Sequence, residues 1–221
     1  MEAQRKKVLS WAMYDWANSA YSTTVMAGFF PVFFKNFWSS GTDHIVTTGR
    51  LGTAISVSSL IIALLSPTLG VMADFRGFKK ALCLSLMLVG VIACGWMTFI
   101  PMGDWWSAIL AYGIAMAAFN ASCVFYEALL PHVASHEDLD YVSSLGYALG
   151  YLGGGILFLL NVLMYLFPAA FGLRDGVQAV QLSFMSVAVW WLVFSYPLAK
   201  NVPEPHSLIR SEEHTSELQS H

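Results

Sequence analysis

Charge is what this sequence has least of. Asp, Glu, Lys and Arg make up 11% of its 221 residues, while 57% are hydrophobic. A water-soluble domain carries about 25% charged residues, so the chain lacks the charge to cover a globule in water. Net charge is only −3, and no stripe of lysine and arginine runs along any segment. Such a chain has no electrostatic footprint for nucleic acid.

Cysteine is also sparse. Cys83, Cys94 and Cys123 lie in apolar stretches without CxxC spacing, which excludes the common zinc and thiol-redox frames and leaves small buried hydrophobes. His136-Glu137 is followed by Asp140 where a zinc-protease helix needs its second histidine, so the segment reads as an acidic loop. No glycine loop is followed by Lys-Ser/Thr, no HExxH is present, and no paired intramembrane aspartates appear. These absences argue against an enzyme, and no cofactor is expected. The basic start runs directly into an apolar stretch holding Asp15 and Asn18, unlike a cleavable signal peptide.

What is present is long and apolar. Six stretches, residues 8–38, 51–73, 81–100, 105–130, 141–167 and 177–198, approach or exceed the roughly 20 residues that span a hydrocarbon core. They predict an all-α, polytopic membrane protein whose residues 1–200 form one six-helix bundle. Pro31 predicts a kink or a break in the first helix. With the N-terminus inside, the inner segments hold Arg5, Lys6, Lys7, Arg76, Lys79, Lys80 and Lys200, and the outer ones Lys35, Arg50 and Arg174. Seven against three places both ends of the bundle in the cytoplasm. Residues 201–209 read as the start of a cytoplasmic linker. Residues 210–221, RSEEHTSELQSH, are unlike everything before them and resemble a translated sequencing adapter, so they are set aside as non-native.

Gly70-Val-Met-Ala-Asp74-Phe-Arg76-Gly77-Phe-Lys79-Lys80 lies between the second and third predicted helices. Gly70 allows close helix approach, Gly77 a tight turn, and the basic residues a hold on an anionic leaflet. The spacing resembles the loop motif of the major facilitator superfamily, with Phe75 where a basic residue is common. YDWANSAYSTTVMAGFFPVFFK, FYEALLPHV, VSSLGYALGYLGGG and AVWWLVFSYPL together resemble the vacuole-effluxer-like branch of that superfamily, over nearly all of residues 8–205. The resemblance implies the N-terminal half of a twelve-helix secondary transporter. Its missing C-terminal six-helix half would be a partner, and the motif at Asp74 would latch against it. It also implies alternating access and a small solute, with amino-acid efflux as the family-level expectation and proton coupling open. A bacterial inner membrane fits, or a vacuolar one if the source is fungal.

Five polar residues are candidates for the substrate or ion pathway. Asp15, Asn18 and Ser22 follow one helix face. A carboxylate at that depth is costly unless paired, hydrated or protonated; it either lines a cavity or bonds to a neighbouring helix. Glu127 and Asn120, seven residues apart on the fourth helix, are the others, and interhelical hydrogen bonding is the alternative for both. Gly146, Gly150 and Gly154 form a small-residue stripe for close helix packing. A non-transporting scaffold or regulatory half-protein is the rival to a transporter.

Overall fold

The computed structural model of the chain describes residues 2–205, without the side chains of residues 69 and 72–76. Every element among them is helical. A backbone in lipid must satisfy its own hydrogen bonds, and a helix does so within one segment.

The chain opens with a rod in which helix types alternate. Helix α1 (Glu2–Ala20) passes into a π-helical stretch, Tyr21–Phe29, then one α turn, α2 (Phe30–Phe33), then a second π stretch, Phe34–Trp38. The expected break at Pro31 does not occur. Phe30 N–H bonds back to Val25, five residues away, and the proline falls at the start of the new α turn. Proline has no N–H to donate, and the change from π to α spacing at this point accommodates it within a continuous helical rod.

The remaining long helices are α3 (His44–Arg76), α4 (Lys79–Trp96), α5 (Trp105–Glu127), α7 (Leu139–Leu166) and α8 (Gly176–Asn201), with a short α6 (Leu130–Val133) before α7. These five long helices hold stretches long and apolar enough to cross a membrane. The opening rod differs in its α/π mixture and its charged first turns.

Several boundaries move from the expected ones, for local reasons. Residues 44–50 read as loop because they are polar, yet α3 begins at His44, with the Asp43 carboxylate accepting Ile45 N–H at 2.7 Å. Asp104 caps α5 through Ser107 N–H at 3.1 Å, and Asp175 caps α8 through Gln178 N–H at 2.8 Å. Such caps satisfy donors that the first turn of a helix leaves open. At the other end of α3 the helix continues through Arg76, and the reversal into α4 is confined to Gly77, at φ +64°, and Phe78. A residue with a Cβ is disfavoured at that φ.

The helices pack in the order α3, α5, α4, α8, α1, α7, with α7 also touching α8; α1 against α7 is the most extensive contact and α3 is held mainly by α5. Trp191 of α8 is fully buried and wedges between Tyr21, at 5.5 Å between ring centroids, and Phe119, at 5.9 Å. A Cβ on Gly90 of α4 would lie 2.7 Å from the Trp191 ring, so glycine makes room for it. In lipid such contacts hold helices by packing, because the tails are as apolar as the side chains.

Candidate functional site

The polar candidates of the first helix diverge once folded. Asp15 is half-buried and faces α7. A Cβ added to Gly150 would lie 3.1 Å from its carboxyl carbon and 2.7 Å from the Ser19 hydroxyl. Asn18 is only 2% exposed and faces α5, its Nδ2 3.4 Å from the Cys123 sulfur. Its amide is tied into the packing. Ser22 donates to the Ser19 carbonyl at 3.0 Å, and Asn120 to the Met116 carbonyl at 2.9 Å, each within its own helix. Glu127 is the exposed last residue of α5. The structure therefore separates the row: Asp15 lies against α7, Asn18 against Cys123 of α5, and Glu127 at the exposed end of α5.

Between α1 and α5 stands an aromatic ladder that the candidate list missed. Tyr126 stacks on Trp11 at 4.3 Å and meets Tyr14 at 4.9 Å; Phe119 meets Tyr21 at 5.3 Å; Tyr112 stacks on Phe30 at 3.9 Å. Trp11 Nε1 also donates to the Tyr126 carbonyl at 3.0 Å. Tyr112, Phe119 and Tyr126 are spaced by seven, two helical turns, so they form one stripe along α5. That spacing was available in the sequence; the partners on the opening rod were not. The rungs run in opposite chain directions, so the two helices are antiparallel and large rings set their separation.

The glycine stripe lies on the other side of α1. Gly146 meets the Trp11 ring, Gly150 meets Asp15 and Ser19, Gly153 meets Trp16, and Gly154 meets the Ser19 carbonyl and the Thr23 hydroxyl. Thr23 also donates to the Gly154 carbonyl at 3.3 Å. Absent side chains on α7 let polar groups of α1 approach its backbone directly.

At the end of the bundle where α3 turns into α4, an added Cβ on Gly70 meets no described atom within 4 Å. The side chains of Asp74 and Arg76 lie outside the described residues. Lys79 Nζ is 3.4 Å from His132 Nε2. Lys80 turns toward α8: its ammonium donates to the carbonyls of Ala199, at 3.2 Å, and Val202, at 2.9 Å. Its backbone N–H and that of Ala81 donate to the Glu204 carboxylate at 2.7 and 2.9 Å. The first turn of α4 and the last turn of α8 thus cap each other, an anion at the positive helix end and a cation at the negative one. Among the described residues no group of three or more His, Cys, Asp or Glu is placed to hold a metal ion.

Long apolar helices around a half-buried carboxylate and a glycine-lined contact suit a membrane carrier, and comparison with known sequences decides the family. Residues 45–215 match the family described as vacuole effluxer Atg22 like. The chain belongs to this family. It is also similar to YxiO, an uncharacterized MFS-type transporter of Bacillus subtilis (strain 168), with 36% identity over 220 residues. That alignment covers 96% of this chain and 51% of the relative, so the chain spans about half the length of the curated protein it matches. No solved structure matches. The likeness is thus to a vacuole effluxer-like family and to an MFS-type transporter, and five helices among the described residues are long and apolar enough to cross a membrane.

Proposed function

We propose that this chain forms the N-terminal half of a secondary transporter that moves a small solute by alternating access, with amino acids as the first class to test. In this reading the rod Glu2–Trp38 is a sixth crossing, and both ends of the bundle face the cytoplasm. Two six-helix halves would then rock about a site near the midplane. The observation that carries the reading is Asp15. Its carboxylate is half-buried on α1 against Gly150. A carboxylate kept among apolar helices costs several kcal/mol unless it is hydrated, protonated or paired with a substrate cation. Those are the states a transport cycle passes through.

The polar row Asp15, Asn18, Ser22, Asn120 and Glu127 then divides by role. Asp15 and Glu127 contact ion or substrate, and Asn18 positions α1 against α5. Ser22 and Asn120 change bonding partners as the halves move. Lys80, with Gly77 and Lys79 beside it, holds the inner end, where Gly70, Asp74 and Arg76 would meet the other half.

The test uses the complete gene product in proteoliposomes, screened against amino acids with and without a pH gradient. Asp15→Asn at unchanged membrane abundance should abolish gradient-driven flux of whichever solute is carried. Wild-type flux in that variant would overturn the assignment of Asp15. Flux by the 221-residue chain alone would overturn the need for a second half.

A further inference from the structure

Helix α7 carries four tyrosines, Tyr141, Tyr147, Tyr151 and Tyr165, and all four are exposed. Tyr141 and Tyr165 stand near its two ends, where an apolar ring with a polar tip suits the boundary between lipid and water. Tyr147 and Tyr151 do not. They lie about 12 and 18 Å along the helix from Leu139, at about 1.5 Å per residue, and they are 60% and 79% exposed. Leu152, Ile156, Leu159 and Leu160 are exposed too, and those side chains suit lipid tails. A phenol hydroxyl turned to lipid tails at that depth has no hydrogen-bond partner, which is costly.

Ser144, Tyr147 and Tyr151, spaced by three and four, share one face of α7. Its direction follows from Gly150. The residues three before and three after it, Tyr147 and Gly153, fall on opposite flanks of the helix. Gly153 marks the flank toward α8, because Trp16 lies against it and stacks on Trp190 at 5.7 Å. Tyr147 and Tyr151 therefore lie on the flank away from α8. Gly154, seven residues on from Tyr147, shares that flank and meets the Ser19 carbonyl and the Thr23 hydroxyl, while Asp15 lies against Gly150. Asp15, Ser19, Ser22 and Thr23 are each half-buried, so α1 keeps one polar side partly open.

We propose that Ser144, Tyr147 and Tyr151 form, with Asp15, one wall of a water-filled path for a solute that carries a cationic group. The solute rests on the transporter reading; the water does not. Water gives the three hydroxyls their partners and hydrates the carboxylate. Lipid offers the hydroxyls no partner. The rest of the longer protein, if packed on this flank, would close the side from which Asp15 is hydrated. Phenol rings turn negative faces to a cation, and Asp15 adds a full negative charge beside them.

The complete gene product would have its native cysteines replaced by alanine, Cys83, Cys94 and Cys123 among them. Single cysteines would then be introduced and the protein placed in nanodiscs, where both faces of the bilayer are open to reagents. A nitroxide on Tyr151→Cys, attached in detergent before reconstitution, should be relaxed by a water-soluble nickel chelate. Relaxation by oxygen alone would mean that lipid covers the face. Relaxation by neither would mean that the rest of the protein does, and either result overturns the path. Unlabelled Tyr151→Cys should react with a trimethylammonium and with a sulfonate methanethiosulfonate, because the reactive thiolate forms only where water reaches. The cationic reagent should react about tenfold faster, drawn by a carboxylate about one turn away, and Asp15→Asn should remove that preference but not the reaction. Leu159→Cys, among the apolar exposed residues, should resist both reagents. Tyr147→Cys serves if the Tyr151 variant does not fold. Equal rates for the two reagents, or a preference that survives Asp15→Asn, would overturn the cationic group. A dry Tyr151 with flux lost in Asp15→Asn would sink this wall and leave the role of Asp15 standing. A wet Tyr151 with wild-type flux in Asp15→Asn would do the reverse.

Discussion

Glu204 and Lys80 are 124 residues apart, and the Glu204 carboxylate accepts the Lys80 backbone N–H at 2.7 Å. The segment that follows α8 is thereby pinned to the start of α4, next to the turn at Gly77. Glu204→Ala removes an anionic cap from two N–H donors and should destabilise the chain by about 1–2 kcal/mol. Glu204→Gln keeps an acceptor and should cost less. Thermal unfolding in detergent, with limited proteolysis around residue 204, measures both. Equal losses in the two variants would mean that the carboxylate charge adds nothing.

Gly153 and Gly155 are near neighbours on α7 with opposite surroundings. A Cβ at Gly153 would lie 2.6 Å from the Trp16 backbone oxygen, whereas one at Gly155 would meet no described atom within 4 Å. Gly153→Ala should therefore force α1 and α7 apart, at about 1–3 kcal/mol. Gly155→Ala should be neutral or stabilise by up to about 1 kcal/mol through helix propensity. Paired melting curves decide; similar behaviour of the two would contradict the packing of α7 on α1.

The aromatic ladder separates shape from hydrogen bonding. Among the described residues the Tyr126 hydroxyl is buried without a partner, while Trp11 Nε1 donates to the Tyr126 carbonyl at 3.0 Å. Tyr126→Phe keeps the ring and removes an unsatisfied group, so stability should hold or rise slightly. Trp11→Phe keeps an aromatic but loses the donor, and should cost about 1 kcal/mol or more. Marked destabilisation by Tyr126→Phe would show that its hydroxyl has a partner in the membrane.

Asp104 supplies a pH-dependent term outside the apolar spans. Hydrogen bonds from Ser107 hold its carboxyl below the ordinary value of 3.8. A carboxylate with a lowered folded-state pKa stabilises fully above its unfolded value, and that stability is lost as pH falls through the folded one. The melting-temperature gap between wild type and Asp104→Ala should be constant near neutrality. It should begin to close below about pH 4. A gap that stays open well below that range would mean that the cap acts without its charge.

Hydropathy located the five apolar helices to within several residues, because lipid imposes one length and one composition on any segment that crosses it. The missed start of α3 has a local cause: residues 44–50 are polar but helical, and only the Asp43 cap reveals it. The glycine stripe announced a packing surface without naming its partner. Asp15 and Asn18, three residues apart, looked like one site; folded, one meets Gly150 and the other Cys123.

Chain composition alone decided that this protein lives in lipid, that it is helical, and that Gly77 turns the chain. Tertiary structure alone decided which faces meet: α1 on the glycines of α7, Lys80 on the end of α8, Arg50 on Trp105. The reason is that hydrophobicity stops discriminating inside a bilayer. Trp191 is fully buried while Leu192 beside it is 45% exposed, and both are apolar because both lipid and protein neighbours are. Shape complementarity and a few polar groups choose between those faces, and these act between segments distant in sequence.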